Sequence, residues 1–141
     1  MREILFRGKR KDNGKWVEGD YAYSNTEDKH YIICDLEMQS MSYEENDLYA
    51  LEWYEVIPET VGQYTGLTDK NGKKIFEGNK CRVTRHCILC YGFITFKNGS
   101  FWFDEFNTDS VLELSKLKIN NFEIEVIGSI HDNPESLEVA E

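Results

Sequence analysis

Proline is nearly absent, with two in 141 residues, and histidine is scarce, with three. No apolar run approaches the ~18 residues that a membrane-spanning helix needs. The first eleven residues, MREILFRGKRK, contain no apolar h-region, so neither a secretory leader nor a membrane location is expected. Catalytic signatures are missing as well. The stretch Gly62–Gly66, GQYTG, lacks the Lys-Ser/Thr that completes a phosphate loop, and no nucleophile elbow or H-E-x-x-H helix occurs. The neighbouring acids Glu44/Glu45 and Asp104/Glu105 point to opposite faces of a strand and make poor acid/base pairs. There is no βαβ alternation, no internal repeat and no low-complexity segment, which disfavours a parallel doubly wound sheet.

What the chain does contain is core material. With 8 Phe, 8 Tyr and 3 Trp it is too rich in aromatics for a disordered polymer. At this length a domain buries roughly 68–70% of its unfolded surface and folds without a disulfide or metal staple. The aromatic runs Phe101-Trp102-Phe103 and Tyr91/Phe93/Phe96 read as strand-packing pairs first and as a base-stacking platform second.

Charge is lopsided: 26 acidic residues against 16 basic give a net charge of −10. Whole-surface nucleic-acid binding requires the opposite sign, so such binding would need a local patch. Two basic segments qualify, Arg7–Lys15 (RGKRKDNGK) and Lys70–Arg85. Between them lies an acidic stretch, Glu44–Glu59, with six carboxylates and no Lys or Arg. The candidate contact residues are Arg7, Lys9, Arg10 and Lys11 around one Asn-Gly turn, and Lys70, Lys73 and Lys74 around another. If the two turns meet at one end of the fold they form a positive surface. The plainer reading is two solvated hairpins.

The four cysteines are Cys34, Cys81, Cys87 and Cys90. Three of them cluster in CRVTRHCILC, with His86 beside them. Cys81, His86, Cys87 and Cys90 are thus weak metal candidates, with His30 or Cys34 as distant ligands. The C-x5-C-x2-C spacing lacks the turn residues and the second ligand pair of a structural zinc site, so reduced, partly buried thiols are expected, with no cofactor. A Cys–His pair drawn from Cys87 or Cys90 with His30 or His131 would serve catalysis only if brought together in space.

Short β-branched and aromatic segments recur at roughly 8–12-residue spacing, punctuated by Asn13-Gly14, Asn71-Gly72 and Asn98-Gly99, the strongest two-residue hairpin signals. The expected fold is α+β, mostly β: antiparallel strands in a small bent sheet or an SH3-like barrel over Val56–Ile130, with one or two short helices. One domain over 1–141 is expected, with a hairpin region 1–35, a variable segment 36–55, a β-rich core 56–130 and a tail 131–141. Gly19 marks a bulge or a close backbone approach in the second strand. Helical turns are expected after Ser42 (with Glu45 as a capping box and Leu48 and Leu51 three apart), from Thr108 or Asp109 through Leu117, and after Asn133-Pro134.

The opening ILFRGKRKDNGKWVEGD, the central VIPETVGQYTGLTDKNGKKIFEGNKCRV and the closing EVIGSIHDNPESL together resemble the YopX family, small proteins of phages and prophages. The resemblance covers essentially the whole chain. It departs at Asn79, where the family pattern reads Gly-Asp, and in the clustered cysteines, which argues against a family metal site. The resemblance implies a mostly β fold and a mobile-element origin inside a bacterial cytoplasm, and no activity. The expected function is that of a non-catalytic binding module for a host or phage protein, with homo-oligomers compatible. A nucleic-acid accessory protein using a local basic patch is the alternative. A Cys-dependent enzyme or zinc-bound domain comes third.

Overall fold

The computed structural model describes residues 2–39 and 47–132, and side chains within them except those of 35–39 and 47–51. The expected capping box at Ser42/Glu45 and the expected helix after Asn133-Pro134 lie outside the described residues. The chain divides into two compact units, Met1–Gln63 and Tyr64–Glu141. Every ladder is antiparallel. Among the described residues no helix is long and apolar enough to cross a membrane.

Unit 1 is a meander. β1 (Phe6–Lys9), β2 (Trp16–Ser24), β3 (Lys29–Gln39) and β4 (Asp47–Glu55) lie in the order β4-β3-β2-β1, followed in sequence by a single 3-10 turn at Pro58–Thr60. Asn13-Gly14 lies in the first turn, but this is a four-residue loop closed between Arg10 and Lys15 and not the two-residue hairpin expected, with Gly14 at φ 71° and the Asn13 side chain accepting the Lys15 N–H. A Cβ on Gly19 would sit 2.1 Å from the Ile33 carbonyl oxygen, the close approach foreseen for that position. The helical reading of Leu48 and Leu51 is corrected by the ladder. Leu48 and Leu51, three apart as on a helix, belong to β4, because β3 extends to Gln39 and offers β4 a full-length ladder.

Unit 2 begins within β5 (Gly62–Thr68). The first two residues of that strand pair with β1, and its later residues pair with β6 (Lys74–Phe76). β7 (Asn79–Arg85), β8 (Ile88–Lys97), β9 (Ser100–Glu105), β10 (Val111–Glu113) and β11 (Glu123–Ser129) form a sheet in the order β10-β9-β8-β7-β11. Its outer strands, β10 and β11, do not pair, so this is the sheet and not the barrel of the two expected forms. A three-residue β10 is too short to continue the ladder. It gives way to α1 (Leu114–Ile119), which sends Leu114 and Leu117 into the core. The helix is therefore shorter than the one expected from Thr108 or Asp109, and Val111 is a strand residue. Ile75, Ile94, Phe103, Ile124 and their neighbours close the core of this unit.

Polar side chains pin the turns of unit 2. Buried Asp69 accepts the N–H groups of Asn71 and Lys73 on one oxygen and that of Val126 on the other, all at 2.9 Å. Asn79, 1% exposed, accepts the Phe76 N–H and donates to the Gly128 carbonyl, a pairing an amide makes without burying a charge.

Candidate functional site

The basic segment of unit 1 is not a bare cationic patch. Arg7 and Lys9 are two apart on β1 and share a face. Both lie over the ring of Trp16 on β2, with Arg7 Cζ 4.0 Å and Lys9 Nζ 5.4 Å from its centroid. Arg10 turns away, bridging to Val56, and its guanidinium stacks 4.1 Å above Tyr54 while holding Asp12 through two hydrogen bonds of 2.6 and 3.0 Å. That fork keeps the Asp12 carboxyl below its ordinary range. Lys11 pairs with Glu55 at 3.1 Å. Each of the four candidate cations thus meets an aromatic ring or a carboxylate.

In unit 2 the Asn71-Gly72 turn presents Lys70 and Lys73 to solvent, with Lys74 half-buried and 5.6 Å from the Tyr64 ring centroid. The turn is fastened from below by Asp69 and by a hydrogen bond from the Lys70 N–H to the Ile124 carbonyl. The two basic segments lie in different units.

The cysteines fall apart in character. Cys81 and Cys90 sit in the unit 2 core, where burial pushes the Cys81 thiol up to about 12 and raises Cys90 as well. Cys87 is exposed in a two-residue turn with His86, both at positive φ (69° and 49°), which breaks the alternating run read across CRVTRHCILC. His86 packs edge-on to Phe122. No disulfide forms, and among the described residues no group of three or more His, Cys, Asp or Glu side chains gathers to hold a metal ion. In unit 1, Cys34 donates to the Glu18 carbonyl. His30 Nδ1 lies 2.6 Å from the Tyr21 hydroxyl and its ring 4.7 Å from that of Tyr23. The aromatic runs of unit 2 make ring contacts on both faces of the sheet, Phe96 on Phe101 on the face of the buried Phe103 and Phe93 on Phe106 on the other.

The feature that sequence reasoning passed over is Trp53. Cross-strand register sets Ala22 opposite Tyr31 opposite Glu55, and Asp20 opposite Ile33 opposite Trp53, so these side chains share one face of the unit 1 sheet. On that face the Trp53 indole stays 60% exposed. It borders two open cavities. One, of about 310 Å³, is lined by Ala22, Glu27, Tyr31, Ile33 and Trp53. The other, of about 350 Å³, is lined by Lys11, Asp12, Trp53, Tyr54 and Glu55. A tryptophan in a β-rich pattern reads as core. The available signal was the company it keeps, Glu52 and Glu55 in a stretch without cations.

The family model described as YopX protein matches residues 5–138. No curated protein sequence matches the chain. Among solved structures, protein EF1440 from Enterococcus faecalis superposes with a TM-score of 0.67 at 23% identity, over 97% of this chain and 99% of that one, a likeness of fold.

Proposed function

The chain belongs to the YopX family, and on that premise we propose that it is a non-catalytic binding module that acts by contact on a protein of a phage or of its bacterial host, inside the bacterial cell. The observation that carries the reading is Trp53, 60% exposed between two cavities on the face of a strand ladder. Tryptophan is enriched among the residues that carry most of the binding energy at interfaces, where a partner desolvates them, and here the indole lies beside two cavities that a partner group could fill. The state of the two core cysteines speaks against either as a nucleophile. A thiol raised by burial is the opposite of an activated nucleophile.

The test is capture from host lysate by immobilised full-length protein, wild type beside Trp53→Ala. The expected result is one protein enriched by the wild type and lost from the variant, with the unfolding midpoint unchanged. Equal recovery by both would remove Trp53 from the contact surface.

A second reading, nucleic-acid binding, rests on the exposure of Lys70 and Lys73 at a fastened turn. Its measure is filter binding to single- and double-stranded DNA at two salt concentrations. A loss of affinity with salt that Lys70→Glu/Lys73→Glu abolishes would favour it.

A further inference from the structure

We propose that the cavity between Trp53 and Tyr31 is a recognition site for a cationic side chain, arginine above all, presented by the partner protein; this deepens the reading of the Trp53 face as a contact surface and rests on it. The lining consists of two aromatic rings, one carboxylate (Glu27) and the small apolar floor of Ala22 and Ile33. At about 310 Å³ the cavity is at the lower end of ligand-pocket volumes, a space for one side chain and not for a dinucleotide. A flat guanidinium stacks on an indole or phenol face and donates its N–H groups to a carboxylate at the rim, which an ammonium does less well.

Charge on this face points the same way. The ladder register places Asp20 across from Ile33 and Glu55 across from Tyr31, so Glu27 is one of three carboxylates around the two rings. Two lysines already meet these acids: Lys29 meets Glu27 at 3.7 Å and Lys11 meets Glu55 at 3.1 Å, while Arg7 and Lys9 on the same face lie over Trp16. The Lys29 contact is loose and solvent-exposed on both sides, so an incoming guanidinium can take its place at Glu27 without breaking a buried pair. A negatively charged group has no comparable seat here, which sets this cavity against a phosphate backbone as occupant.

The probes are capped five-residue peptides, Gly-Ser-Arg-Ser-Gly and the same peptide with citrulline, its neutral near-isostere, in place of arginine. They are titrated into the full-length, nitrogen-15-labelled protein while the three indole N–H signals are followed, with Trp53 assigned from Trp53→Phe. The arginine peptide is expected to shift the Trp53 signal saturably and to leave Trp16 and Trp102 in place. The citrulline peptide and the Glu27→Gln variant are each expected to weaken the response about tenfold. Equal responses to arginine and citrulline, or a Trp53 signal that does not move, would overturn the proposal. The same peptides then compete in the lysate capture. Capture lost in Trp53→Ala but untouched by both the arginine peptide and Glu27→Gln rejects the cation site and leaves the contact face standing. Capture unchanged in Trp53→Ala rejects both.

Discussion

Unit 2 closes ten buried side chains, from Ile75 to Val126, into one apolar cluster, whereas the described side chains of unit 1 contribute two fully buried hydrophobics, Ile32 and Val56. Other contacts also join the described residues of unit 1. Long antiparallel ladders, arginines and lysines laid over Trp16 and Tyr54, and a hydroxyl such as that of Thr60, which takes the Lys9 N–H and donates to the Ile57 carbonyl, hold its strands in register. The lesson is a division of labour. Among the described residues, hydrophobic burial is concentrated in unit 2, and unit 1 carries large aromatic groups such as Trp53 and Tyr23 at its surface.

The contrast can be broken most directly at Phe103, 1% exposed in the unit 2 core. Phe103→Ala is expected to destabilise the protein by about 3–5 kcal/mol in urea unfolding, through lost burial and the cavity left behind. A change below about 1 kcal/mol would mean the cluster is not where stability resides.

A smaller effect belongs to Asp69. Burial alone would raise this carboxyl. The backbone N–H groups of Val126, Lys73 and Asn71, with the charge of Lys73, outweigh it and hold Asp69 below its ordinary 3.8. A group whose folded pKa lies below its unfolded value stabilises fully above the unfolded value and ceases to do so as pH falls through the folded one. Wild-type stability should therefore decline below about pH 4, and Asp69→Asn should show a shallower decline over that window in acid titrations followed by circular dichroism. Asp69→Ala, which strands three backbone donors, is expected to cost about 1–3 kcal/mol at neutral pH.

The smallest effect sharpens the comparison from the other side. Trp53→Ala in unit 1 should alter stability by no more than about 0.5 kcal/mol while abolishing partner capture. A loss of several kcal/mol from this substitution would mean that the indole is structural.

The strand rhythm and the places of the three Asn-Gly turns were legible because their causes are local, though only Asn98-Gly99 closes as a two-residue hairpin, with φ of 52° and 80°, and the other two sit in longer loops. β4 was not, since Leu48 and Leu51 match a helical spacing and only the ladder with β3 decides for a strand. The fate of charged residues was least legible. Asp69 reads as an ordinary turn acid, yet it is buried and threefold hydrogen-bonded. Arg10 reads as a surface cation, yet it is claimed by Asp12 and Tyr54. Trp53 stayed hidden because exposure is a property of the assembled sheet and not of the residue type. Open sheet or barrel was undecided for a similar reason, since closure depends on how far β10 runs before α1 begins.

Two hairpins of unit 2 share one turn geometry and differ in what closes it. Lys97 pairs with Ser100 around Asn98-Gly99, and Arg85 pairs with Ile88 around His86-Cys87, with both central residues left-handed in each. The unfolded chain visits that conformation readily at Asn-Gly and rarely at His-Cys, which lack glycine's freedom. The two turns therefore have opposite kinetic standing. β8 and β9 can meet early, by a local search, while the β7–β8 turn closes only once a growing ladder holds His86 and Cys87 in place. Substitutions along β8–β9 should accordingly slow folding, and those at the His86-Cys87 tip should chiefly hasten unfolding, an order of assembly set by two dihedral angles at a bend.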